Sequence, residues 1–190
     1  MPRLAELELT EPRGPWMQSP LWSAVVLLGV AVAIQVTLMP MTSIGDLHAT
    51  PDLVIVTVCA VGMYRGVVVG AVGGFVAGLA LELMLPGNTL GVVALAGVAI
   101  GAWCGRYAMT SDEPTWWLFL LVSTIASGLV PFWVGIVQLL RGTGPGIPDI
   151  VADLAGPQMV FAPPLAALVW WVARRLLGSR QVIEPGMMSG

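Results

Sequence analysis

Apolar residues run through this chain in long blocks, broken by short polar or proline- and glycine-rich interruptions, and the blocks predict helices rather than strands. Leu21 to Met39 is the first, and at 1.5 Å per residue it is long enough to cross about 30 Å of hydrocarbon. A loop follows over 40–50. Thr50, Pro51 and Asp52 then read as a helix start: an N-cap hydroxyl, a proline at the first helical position and an acid in the first turn. The run Leu53 to Tyr64 is short for a crossing, so its helix must stand nearly upright, thin the bilayer or be shielded by neighbours; a re-entrant segment is the alternative. Arg65 and Gly66 turn the chain into a third span, which Pro86 and Gly87 stop. The fourth opens at Thr89 or Leu90 and ends near Arg106 and Tyr107. The fifth, Thr115 to Leu140, is expected to kink or break near Pro131, and the sixth, Gln158 to Leu177, to bend at Pro163 and Pro164. Residues 149–155 between them read as a short interfacial turn.

Spacing inside two of these blocks sharpens the picture. Gly66, Gly70, Gly74, Gly78 and Glu82 recur every four residues, which on a helix makes a ridge of four glycines ending in a carboxylate. Gly97, Gly101 and Gly105 form a second ladder in the next helix. Glycine costs a helix about 1 kcal/mol against alanine in water, but in lipid small residues at this spacing let backbones approach closely. The two ladders therefore pack on each other, on a common third helix, or on the helix of a partner; ordinary glycine enrichment of membrane helices is the bland alternative.

Composition fixes the class. Of 190 residues 57% are hydrophobic and 10% charged, with a mean hydropathy of +0.88, too little charge to cover the surface of a soluble domain. The expectation is an all-α integral membrane protein of six transmembrane helices in one compact bundle: a tail over 1–20, a membrane domain over 21–177 and a tail over 178–190. The net charge of -3 is too small and scattered to suggest nucleic acid. With six spans, Arg3, Arg13, Arg65, Arg106, Arg174, Arg175 and Arg180 share one side and Arg141 stands alone on the other. The positive-inside rule then puts both termini in the cytoplasm. Trp16, Trp22, Tyr64, Trp103, Tyr107, Trp116, Trp117, Trp170 and Trp171 fall near the same boundary. The first apolar run lacks a following small-residue cleavage site and reads as an anchor rather than a cleaved signal.

Candidate chemistry is sparse. The single histidine, His48, lies in a predicted outer loop, so Ser123 and Ser127 have no base deep in the bundle and read as packing or backbone-bonding hydroxyls. Cys59 and Cys104 have no C-x-x-C spacing and read as small buried apolar residues rather than a disulfide or metal pair. Asp149 and Asp153, four apart, read as acids in the first turns of a helix rather than a cation site. No nucleotide, metal or other cofactor motif is present. Two amides, Gln35 and Gln158, lie in predicted spans; Gln35 either faces protein or is hydrated near the interface. Glu82 is the one carboxylate inside a predicted span. A proton-coupled carrier would place it at the midplane, whereas its position in the last turn suits a hydrated or partner-bonded interfacial group.

The order and spacing of several features are similar to those of the bacterial rod shape-determining membrane protein family MreD. They are Pro51-Asp-Leu opening a span, Gly74-Gly-Phe-Val-Ala-Gly-Leu followed by Glu82, Leu90-Gly-Val and the glycines before Arg106, Gln35 in the first span, and the prolines and basic end of the last. The family more often has Asp at the position of Glu82 and Asn at that of Gln158. The resemblance implies a non-catalytic scaffold of the cell-elongation complex in the bacterial cytoplasmic membrane. It would bind an MreC-like bitopic protein and connect indirectly to MreB filaments and to RodA with its penicillin-binding transpeptidase, so helping to regulate peptidoglycan synthesis. The implied fold is like that of the substrate-binding S components of energy-coupling-factor transporters, which supplies the alternative: a small-molecule-binding S component. For that reading, Gly29 and Ala33 in the first span form a small-xxx-small pair like the docking motif of such proteins.

Overall fold

The computed structural model describes residues 21–38, 52–84, 91–110, 115–142, 146–151 and 156–177. These residues are almost entirely helical. The helices are α1 (Leu21–Leu38), α2 (Leu53–Arg65), α3 (Val67–Met84), α4 (Val92–Thr110), α5 (Trp116–Leu140), the one-turn α6 (Ile147–Asp149) and α7 (Gly156–Leu177). Three of them, α3, α5 and α7 from Gln158, are long and apolar enough to cross a membrane; α1, α2 and α4 are shorter apolar helices. The helices are continuous at their prolines: α5 runs through Pro131 without a break, and α7 through Pro163 and Pro164. A proline costs a helix one backbone hydrogen bond.

The bundle is organised around α2. Its 13 residues span only about 20 Å, yet all of Val54 to Met63 is buried, because α1, α3, α4, α5 and α7 all pack on it. A helix sheathed on every side does not have to match the thickness of hydrocarbon. The shielding by neighbours anticipated for this short run is the arrangement found. Its start differs from the sequence reading by two residues: Asp52 is the N-cap, its carboxylate accepting the Ile55 N–H at 3.2 Å. Thr50 and Pro51 lie outside the described residues.

One residue joins α2 to α3. Gly66 has φ 88°, in the left-handed half of backbone space that only glycine enters at little cost, and its N–H bonds the Gly62 carbonyl at 2.9 Å. This corrects the ridge read from the sequence, in which Gly66 was the first helical rung. It is the hinge between two helices instead, and the ridge proper starts at Gly70.

The closest pairing in the bundle is α3 with α4. Direction alternates along the chain: Ser23 meets Arg65 at one end of α1 and α2 while Gln35 meets Val54 at the other. Phe119 at the start of α5 stacks on Trp170 near the end of α7, with ring centroids 5.1 Å apart, and Trp170 also meets Tyr64 at the end of α2. The end that carries Arg65, Arg106, Arg174 and Arg175 also carries the exposed rings of Trp22, Trp103, Trp116, Trp117 and Trp171. Arg175 lies over the Trp171 ring at 4.4 Å. Trp133, half-exposed in the far half of α5, is outside this belt.

Candidate functional site

The two glycine ladders face each other. A Cβ placed on Gly74 would overlap the carbonyl oxygen of Gly97, one on Gly97 would overlap that of Gly74, and one on Gly101 that of Gly70. Gly78 lies against the backbone of Ala94, and Gly105 against the start of α3 at Val67. Paired residue numbers sum to 171 or 172 at each rung (70 with 101, 74 with 97, 78 with 94, 67 with 105), the signature of an antiparallel register held over about three turns. Gly62 of α2 joins the seam: a Cβ there would fall 2.7 Å from the Gly101 carbonyl oxygen. Of the three placements open from the sequence, the ladders take the first two together. They are filled from within, and no groove between them is left for a foreign helix.

Glu82 closes the same seam. It is 4% exposed, and each of its carboxylate oxygens accepts one backbone N–H at the start of α4: Oε2 from Gly91 and Oε1 from Val93, both at 2.6 Å. The first amides of a helix have no partner within it, and the positive end of the helix dipole favours a negative charge there. A side chain from the last turn of α3 therefore caps α4 across the intervening loop. Of the alternatives for Glu82, a carboxylate bonded to protein is what the structure has.

Gln35 does the equivalent for α2. It is buried, its Oε1 accepts the Val54 N–H at 2.8 Å, and its Nε2 donates to Asp52 Oδ1 at 3.2 Å. Asp52 itself caps Ile55, so the start of α2 is held by one acid and one amide from two different helices. Burial pushes the Asp52 carboxyl above its usual range, against the two hydrogen bonds that favour the charged form. At the opposite end Arg65 is buried and its Nη2 donates to Ser23 Oγ at 2.6 Å. Of the alternatives for Gln35, facing protein is what the structure has.

Gln158 stands apart from these two devices. It lies at the start of α7, where its Oε1 is buried with no hydrogen-bond partner. The next residue, Met159, lays its side chain over Gly128 of α5. Cys59 and Cys104, unpaired by any sequence pattern, are brought together in the core: both are free thiols and buried, within hydrogen-bond reach of each other and beside Ser123. Ser123 and Ser127 are fully buried, and neither hydroxyl bonds to backbone. Of the two roles expected of them, packing or backbone bonding, the second is absent; Thr37, Thr57 and Thr124 are the hydroxyls that bond four residues back. Among the described residues there is no group of three His, Cys, Asp or Glu able to hold a metal ion. His48 and Asp153, and the side chain of Asp149, lie outside what the structure describes.

The helical fold and the location of these devices leave one open face on α1. A Cβ on Gly29 would meet nothing within 4 Å, and Val25, Val26, Val30 and Ile34 beside it are exposed. Compared with known proteins, the chain matches no family model, no curated protein and no solved structure.

Proposed function

We propose that this protein is a non-catalytic scaffold in the bacterial cytoplasmic membrane, crossing it six times with both termini in the cytoplasm, and that it works in the cell-elongation complex as MreD proteins do. Its direct partner is then an MreC-like bitopic protein, with MreB filaments, RodA and its penicillin-binding transpeptidase reached indirectly. The observation that carries this reading is the employment of Glu82. Both oxygens of the only carboxylate within a described span are committed to backbone amides of α4, which is architecture, whereas a carrier needs that group to release and rebind its proton or ion. The arginines and exposed tryptophans gathered at one end of the bundle support the orientation.

Because the ladders are filled, the partner helix has to use another surface. The α1 face with Gly29 and Ala33 is apolar, small along its ridge and open, which is the form a transmembrane helix packs on. Gly29→Leu with Ala33→Leu should abolish co-purification of the MreC-like protein in mild detergent while the variant keeps its monodisperse profile. Full recovery of the partner from that variant rejects the α1 face as the interface.

The same small-xxx-small face favours a second reading, in which it docks a transporter module and the protein is a small-molecule-binding S component. Thermal stabilisation by one member of a panel of vitamins or metal ions, with co-purification of ATPase subunits, would establish that reading in place of the first.

A further inference from the structure

Three buried side-chain oxygens, two on α5 and one on α7, have no hydrogen-bond partner: Ser123 Oγ, Ser127 Oγ and Gln158 Oε1. Both serines are 0% exposed, and a hydroxyl left dry and unpaired in a core is destabilising. Pro131 adds a fourth acceptor. It lacks the amide that would donate to the Ser127 carbonyl four residues earlier, and since Ser127 and Pro131 are both buried, that carbonyl lies in the core. Met159 packs on Gly128, which puts Gln158 at the level of Ser127. Ser123 lies beside the Cys59 thiol of α2, next to which is the Cys104 thiol. The seam thus gathers four acceptors and only two hydroxyl protons, apart from the Gln158 amide.

We propose that the α5–α7 seam is a hydration site, in which ordered water bridges the hydroxyls of Ser123 and Ser127 and donates to the Ser127 carbonyl and Gln158 Oε1. The spacing suits water. Four residues of helix put the two serines about 6 Å apart along the axis, close to the length of two consecutive O–H···O bonds of about 2.8 Å each. Buried water of this kind usually makes about three hydrogen bonds to groups that are otherwise unsatisfied, and the seam supplies that number. A water held at the proline of α5 takes the place of the missing backbone bond.

The sign of one stability change tests this. In a dry seam, Ser123→Ala with Ser127→Ala removes two unpaired hydroxyls, and Tm of the full-length protein in lipid nanodiscs stays level or rises. In a hydrated seam the same change strands the water, and Tm falls by about 3–6 °C. X-ray radiolysis in water enriched in oxygen-18 gives the second measurement. Cys59, beside the site, should take up the label in the wild type far more than Met63, a buried sulfur one turn further along α2, and should lose it in the double variant. A level or raised Tm, or labelling of Cys59 no greater than that of Met63, or labelling unchanged by the substitutions, overturns the proposal. Should the double variant fail to fold, the wild-type comparison of Cys59 with Met63 decides alone.

Discussion

The carboxylate of Glu82 and the amide of Val93 are 2.6 Å apart, joining the last turn of one helix to the first of the next. With the companion bond to Gly91, one side chain fixes how α3 and α4 meet at the end where their glycine seam runs out. Glu82→Ala leaves two amides uncapped in a buried place and should cost about 2–4 kcal/mol, since hydrogen bonds to a charged group contribute about 1.5–3 kcal/mol each and rarely add in full. Glu82→Gln retains one good acceptor and should cost about half as much. Thermal unfolding followed by intrinsic tryptophan fluorescence reads both; equal stability of all three proteins would show the cap to be idle.

The seam itself predicts an ordering of glycine substitutions. Gly74→Ala and Gly97→Ala drive a methyl group into the facing carbonyl, and the helices must part, at a cost of about 1–3 kcal/mol each. Gly29→Ala, whose new methyl meets nothing, should be neutral or slightly stabilising, because alanine is the better helix former. Detergent-solubilised yield and Tm measured side by side check the contrast.

Gln35 and Asp52 form one unit at the start of α2. Gln35→Leu strands the Val54 N–H and removes a donor from Asp52, and is expected to destabilise by about 1–3 kcal/mol. A double-mutant cycle with Asp52→Ala should return a coupling of about 0.5–3 kcal/mol. Additive effects would mean that the two residues act separately.

Asp52 also sets a pH dependence. Its carboxyl sits in the cap just before α2, and burial raises its pKa above the ordinary value of 3.8. The folded state therefore binds the proton more tightly than the unfolded state does. The stability this contributes is complete below the ordinary carboxylate value and is lost as pH rises through the raised one. Asp52→Asn keeps an acceptor for Ile55 and cannot ionise, so its Tm should be flat across the window in which the wild type declines on the alkaline side. Parallel titrations of Tm from pH 3.5 to neutrality, starting from about the ordinary carboxylate value, make the comparison.

Much of this was legible in the chain because the features that carry it are periodic. Glycines at 70, 74 and 78 and at 97, 101 and 105 announce close packing on their own, and the apolar blocks mark the helices to within a few residues. What periodicity could not carry is the identity of a partner that has no side chain. Glu82 and Gln35 bond to backbone amides of Gly91, Val93 and Val54, and every residue presents such an amide, so the letters alone gave no reason to pair them. The meeting of Cys59 with Cys104 is hidden for a related cause: they lie 45 positions apart on α2 and α4, and only the three-dimensional register of the ladder, with Gly62 against Gly101, brings their turns level. For the serines of α5 the letters left packing and backbone bonding open, because a buried hydroxyl ordinarily bonds the carbonyl four residues back, as Thr124 does.

The brevity of α2 has a consequence for how the protein is made. At 13 residues it is too short to lodge in lipid unaided, and both of its ends are secured by α1, through Gln35 at one and Ser23 at the other. A single glycine then commits the chain to α3. Under the proposed six-span topology the second helix would thus be a passenger, entering the bilayer clasped to the first, and a chain halted at residue 66 would hold one anchor rather than two.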